Sequence, residues 1–183
     1  EKKKLQIMIQ VVDNYFKPND LKFMLNLCDK LQMKTYSTER GIYAFGSKSL
    51  PDKVKEINNK YLKQKFNFPL SKYNTSNGVI YLRKPETDLY NEIHRDNKEI
   101  KYLDGTKNVK WNLLVYLKGD FNTANGTGFF ELNKNKELVL DRSIGFKKNR
   151  AILFRSKLWH GSLQPIQKDA SSWRYTFNSF ISK

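Results

Sequence analysis

Cysteine occurs once in this chain, at Cys28, and histidine twice, at His94 and His160. A single thiol excludes a disulfide framework and any zinc site built on several cysteines. It also fits a reducing compartment, so a cytoplasmic location is the expectation. Hydrophobic runs are short, and none approaches the roughly 18 to 20 apolar residues that cross a bilayer. The opening Glu1-Lys2-Lys3-Lys4-Leu5-Gln6-Ile7-Met8-Ile9 sets basic residues before apolar ones, but the run is too short and interrupted for a signal peptide. No internal repeat or linker divides the chain. The expectation is one domain over residues 1–183, with a strand-and-helix support region at 1–77 and a β core at 78–183.

Acidic side chains are few beside basic ones, which leaves a net charge of +16. A field of that sign draws in polyanions such as nucleic acid or an anionic membrane surface. Lys far outnumbers Arg, however, and no block of like charges stands apart as a tail, which is the pattern of a solvated surface. Nucleic acid therefore stays open as a partner, beside a peptide or small molecule. An aromatic content of 14% argues for a packed core rather than disorder.

Leu5 to Val12 reads as a strand and Asp13 to Pro18 as a turn, with Asn19 a candidate helix cap. Leu21, Met24, Leu25, Cys28 and Leu31 then recur at helical spacing, so Cys28 is expected as a packed core thiol. Gly41 to Gly46 reads as a short strand. Ser49 and Pro51 open a second helix to about Phe66, with Val54, Ile57, Tyr61 and Leu62 on one face. Phe66 to Gly78 reads as a loop. Beyond it, strands are expected at Val79–Leu82, Leu89–Asp96, Val109–Leu117, Gly128–Leu132, Glu137–Leu140, Arg150–Phe154 and Trp173–Ile181, parted by turn residues. Many short strands suggest a sandwich or barrel, and two helices ahead of them give α+β, mainly β.

The chemistry-bearing residues gather on these strands. In extended chain His94 and Asp96 point the same way, about 7 Å apart, and offer an imidazole and a carboxylate together. His160, far downstream in Leu158-Trp159-His160-Gly161, supplies a third donor. Two His and one carboxylate, with other coordination positions open, is the pattern of non-haem Fe(II) oxygenases. On the last strand Arg174 and Thr176 share a face, and a guanidinium with a hydroxyl two residues on makes a carboxylate receptor. Trp159 is expected to pack in the core.

His94, Asp96, His160 and Arg174, in that order, resemble the signature of the Fe(II)- and 2-oxoglutarate-dependent dioxygenases. Asn125-Gly126-Thr127-Gly128-Phe129-Phe130 and the segment Asn149 to Gly161 resemble strands of the prolyl-4-hydroxylase-like branch. The resemblance implies a double-stranded β-helix, a jelly-roll barrel with N-terminal helices packed on one sheet. It implies Fe(II) held by His94, Asp96 and His160, and 2-oxoglutarate held through Arg174, with ascorbate as an option in vitro. Thr176, Asn112 and Tyr81 are further candidates for the cosubstrate, and Tyr90 and Tyr116 for the pocket wall. The implied activity is hydroxylation of an unactivated C–H bond, on a peptidyl substrate, with release of succinate and CO2. The chain departs from the branch pattern in carrying Arg174 where collagen-type enzymes use Lys, and Ser156 where Pro is usual. Lys168 ranks second to Arg174 as anchor. A nucleobase-directed oxygenase, a cupin-like protein and a basic nucleic-acid-binding module are the alternatives. Substrate contacts are expected from Asn97–Asn108 and Phe121–Gly126.

Overall fold

The computed structural model describes residues 8–38, 41–47, 50–83, 93–96, 108–119, 126–163 and 174–183. Tyr90, Lys168, Trp173, Leu89 to Glu92 of one expected strand, and nearly all of the two expected substrate loops lie outside the described residues. The strands are β1 (Ile9–Val12), β2 (Lys34–Thr38), β3 (Gly41–Gly46), β4 (Asn74–Thr75), β5 (Val79–Arg83), β6 (Val109–Gly119), β7 (Thr127–Leu132), β8 (Leu138–Ile144), β9 (Ala151–Arg155), β10 (Trp159–Ser162) and β11 (Arg174–Ser182). The helices are α1 (Pro18–Lys30) and α2 (Asp52–Phe66).

The spine is β6. Its residues Trp111 to Leu117 are apolar on both faces apart from Asn112, the mark of a strand covered on both sides, and all of them are buried. β6 lies between β9 and β11 in an eight-stranded sheet ordered β1-β9-β6-β11-β5-β3-β2, with β4 added on β11. β10, β7 and β8 form a second, three-stranded sheet. The pairings are antiparallel throughout.

Each face of β6 meets a different core. Leu113, Val115 and Leu117, with Ala151, Leu153, Phe177 and Ile181, pack under the helices against Met24, Cys28, Val54, Ile57, Tyr61 and Leu62. The opposite face sets Leu114, Tyr116, Ile152 and Phe154 against Phe129, Ile144 and Phe146 of the smaller sheet and its exit. The mainly-β architecture with two supporting helices agrees with the sequence reading. Cys28 lies in the helix-side core, where burial first, and Asp29 beside it, push the thiol up to about 12.

Helix starts differ from expectation. Pro18 itself opens α1 with Lys17 in the cap position, so Asn19 is already helical. Proline suits a first turn because its missing N–H has no intrahelical partner there. Pro51 sits at the cap of α2 rather than inside it, and Asn67 ends the helix in the left-handed region at φ 49°. β10 and the short strands β2 and β4 were not foreseen, and β8 runs on to Ile144.

A side-chain amide ties the turn between β1 and α1 to the β8–β9 turn. Asn149, at φ 64°, accepts from Phe16 N–H and donates to Phe16 C=O, both at 2.9 Å, as a peptide group would in a strand. Asn149→Ala is expected to lower stability by about 2 to 3 kcal/mol in urea unfolding, through two lost buried hydrogen bonds and a left-handed backbone that alanine resists. Beside it, Arg150 Nε and Lys147 Nζ reach Asp13 at 2.7 and 2.6 Å. Their hydrogen bonds, Arg150 first, lower the Asp13 carboxyl from 3.8 to about 2. The folded value is depressed, so this contribution is whole above pH 3.8 and fades as pH falls toward 2. Arg150→Ala should weaken that acid-side loss in pH-dependent melting, modestly because the pair is partly exposed.

Candidate metal centre

The two histidines meet because β10 is a strand. Trp159 to Ser162 pairs with β7 on one side and leaves its other edge to His94. His94 N–H donates to His160 C=O and His160 N–H to His94 C=O, both at 2.9 Å. Opposed residues of an antiparallel pair project to the same face, which brings the imidazoles together. Their ring centroids are 4.4 Å apart. Beyond this bridge Asp96 lies in a bend and donates its N–H to Ser156 C=O at 2.9 Å. Ser156 also donates its own N–H to Lys110 C=O at 3.1 Å and its hydroxyl to Val109 C=O at 2.7 Å. Proline could supply neither donor, which accounts for serine at this point.

His94 Nε2 lies 3.5 Å from Asp96 Oδ1, and His160 Nε2 lies 3.2 Å from Asp96 Oδ2. One ligand atom from each of the three residues falls within 4.8 Å of the others. Asp96 and His160 are buried, whereas the His94 side chain is 47% exposed and marks the open side. Phe154 meets the His160 ring edge-on at 4.7 Å, and Phe129 lies 6.4 Å away.

These donors fit a divalent transition metal. His160 Nδ1 faces Leu158 C=O at 3.0 Å. A ring that donates from Nδ1 to that carbonyl presents Nε2 as a ligand atom, and Nε2 faces the Asp96 carboxylate, where a cation fits between them. Imidazole and carboxylate together suit iron and its neighbours.

Arg174, 1% exposed, opens β11. Its guanidinium donates to Gly126 C=O at 2.7 Å and to Ser162 Oγ at 2.5 Å. Ser162 stands two residues beyond His160 and so shares its face, about 7 Å along. This hydroxyl connects the arginine to the metal-site strand. Gly126 has no room for a side chain, since a Cβ there would come within 2.1 Å of Ile144 C=O. The guanidinium also lies 5.6 Å from the Tyr116 ring. Tyr116 OH meets Thr127 Oγ1 at 2.8 Å and donates to Ile144 C=O at 3.2 Å. Burial raises this phenol, against the pull of Arg174, so it stays a neutral donor.

Of the other predicted residues, Thr176 is buried and pairs in register with Tyr81 and Tyr116, while the hydrogen bonds described for Arg174 run to Gly126 and Ser162. Tyr81 packs with Val79, Val109 and Phe180. Asn112 donates from Nδ2 to Asp96 Oδ2. Trp159, expected in the core, is half-buried on the outer side of β10, with the Arg95 guanidinium 4.3 Å from its ring centroid. Sequence reasoning missed Ser162 and Thr127. Reading Trp159–Ser162 as a strand would have found the first, by its spacing from His160.

The fold is that of solved 2-oxoglutarate/Fe(II) oxygenases, prolyl hydroxylases among them. A collagen prolyl hydroxylase of Paramecium Bursaria Chlorella virus-1, solved with 2-oxoglutarate, superposes at TM-score 0.57 with 20% identity, covering 95% of each chain. A prolyl hydroxylase from Trichoplax adhaerens, solved with a fragment of the hypoxia inducible factor oxygen degradation domain, gives 0.57 and 14%, over 99% of this chain and 86% of that one. SnoK, an α-ketoglutarate-dependent carbocyclase of nogalamycin biosynthesis, gives 0.65 and 7%, over 94% and 78%. No protein-family model and no curated protein matches the sequence. Among the described residues no helix is long and apolar enough to cross a membrane.

Ser162→Ala removes an acceptor from a buried guanidinium. It is expected to lower unfolding stability by about 1 to 3 kcal/mol, measured in denaturant with the metal absent.

Proposed function

We propose that the protein is an Fe(II)- and 2-oxoglutarate-dependent oxygenase of the prolyl-hydroxylase-like kind, built on a double-stranded β-helix and hydroxylating a C–H bond of a peptidyl substrate. The observation that carries this reading is the convergence of His94, Asp96 and His160 within 4.8 Å, on a fold shared with such enzymes. In this reading the three side chains hold Fe(II). Arg174 takes the distal carboxylate of 2-oxoglutarate, with Ser162, Thr127 and Tyr116 shaping the polar floor around it. Thr176 lines the same strand. The bound metal and cosubstrate supply oxidative decarboxylation to succinate and CO2, coupled to oxidation of substrate.

The chain's own residues perform the positioning. The exposed His94 side leaves an approach for substrate, while Phe129 and Phe154 keep water from the His160 side. The planar guanidinium of Arg174, oriented by Gly126 C=O and Ser162, suits a carboxylate presented edge-on. A peptide substrate is supported by the Trichoplax neighbour, which was solved with a peptide fragment. The net charge of +16 supports the second reading, a nucleic-acid substrate held by its phosphates.

Purified protein with Fe(II), 2-oxoglutarate and oxygen is expected to form succinate, and His94→Ala or Arg174→Ala to lower that rate by about a hundredfold or more. Proline-containing peptides should gain one oxygen atom by mass spectrometry. Succinate formation stimulated only by oligonucleotides, in a strongly salt-dependent way, would move the substrate to nucleic acid. No succinate above that of the His94→Ala variant would sink the oxygenase reading.

A further inference from the structure

Asn112 is the one polar residue in the stretch Trp111 to Leu117 that carries neither an aromatic ring nor an aliphatic chain. It is 2% exposed. Its partners across the sheet are Phe154 on β9 and Phe180 on β11, both buried. An amide among phenylalanines is an unfavourable choice for packing alone, since burial of a polar group must be offset by hydrogen bonds. Here only half of the amide is satisfied. Nδ2 donates to Asp96 Oδ2, while Oδ1 is buried with no hydrogen-bond partner among the described residues. An unpaired buried carbonyl is destabilising, so stability does not explain the residue.

What the amide does is hold Asp96. The carboxylate stands between the two imidazoles, with Oδ1 nearer His94 and Oδ2 nearer His160. With Oδ2 engaged by Asn112, the carboxylate cannot rotate about its Cβ–Cγ bond without giving up a buried charge-assisted hydrogen bond. Its orientation is therefore set before any cation arrives. The same engagement lowers the electron density available on Oδ2 and biases the group toward ligation through a single oxygen, which keeps further coordination positions open. Phe154, opposite Asn112 in register, also packs on the His160 ring, so one rung of the sheet supports two of the three donors.

We infer that Asn112 is a positioning residue of the metal centre, fixing Asp96 through its Nδ2 donor, rather than a residue that binds the cosubstrate. The inference rests on the metal-site reading above. Its test uses Co(II) as the probe, with calorimetric affinity, the visible d–d spectrum and the metal-induced rise in melting temperature as readouts. Asn112→Leu keeps the volume and removes the donor. Asn112→Asp keeps the shape and replaces the donor by an acceptor that faces Asp96.

Both variants are expected to bind Co(II) about tenfold or more weakly than the unmodified protein, as loss of such supporting hydrogen bonds does elsewhere. They should also change the d–d envelope and lose part of the metal-induced melting increment, whatever their metal-free melting temperature. A merely structural asparagine would shift the metal-free melting temperature and leave affinity and spectrum alone. If Asn112→Leu does not fold, the isosteric Asn112→Asp carries the test. Affinities within about twofold of the unmodified protein, with an unchanged spectrum, overturn the role of Asn112 while the metal site stands. Absence of His94-dependent Co(II) binding in the unmodified protein overturns the metal site itself.

Discussion

The site depends on one reciprocal pair of backbone hydrogen bonds, His94 to His160 and back, each 2.9 Å. Side-chain chemistry cannot bring together two imidazoles so distant in sequence. The backbone does so, through a single antiparallel bridge from His94 to the free edge of β10. Once that rung forms, Asp96, in a bend two residues on, sets its carboxylate between the imidazoles, and Ser162 lies farther along β10. Outside any regular ladder, Asp96 N–H on Ser156 C=O then holds the backbone that carries the carboxylate.

The larger sheet supplies what the pairing cannot. Its central strand β6 buries one face under the helices and the other toward the smaller sheet, and from that second face come Asn112 against Asp96 and Tyr116 against Thr127. β11 contributes Arg174, whose bonds to Gly126 and Ser162 join the two sheets at the far end of the site. A rigid, well-packed sheet is a suitable support for groups that must hold their geometry before a ligand binds. The ion cluster of Asp13, Lys147 and Arg150 and the Asn149 bracket secure β1 and the turn before β9, the strand that lies beside β6.

Much of this was legible in the sequence where a residue's neighbours along the chain decide its fate. The helical stripe through Met24 and Cys28 and the unbroken apolar run of β6 follow from local periodicity, whereas the strand expected through Asp96 is, among the described residues, a bridge at His94 and a bend at Asp96. β10 was not legible, because a four-residue strand containing Gly161 has too little pattern to separate it from a turn. Ser162 was lost with it. Asn112 was read as a cosubstrate contact, since a polar residue in an apolar strand signals a site without saying which ligand it serves. The hydrogen bond it makes, to Asp96, is set by tertiary packing. The helix caps failed for a related reason: proline competes with asparagine for the first turn, and the chain used the proline.

The central claim is that the three donors and Arg174 form one centre, with metal and 2-oxoglutarate bound side by side. The most direct measurement is an anaerobic titration with Fe(II) and then 2-oxoglutarate, followed in the visible spectrum. A weak metal-to-ligand charge-transfer band that needs both components and vanishes in His160→Ala is expected. Iron binding without that band, or a band indifferent to His160, would contradict it.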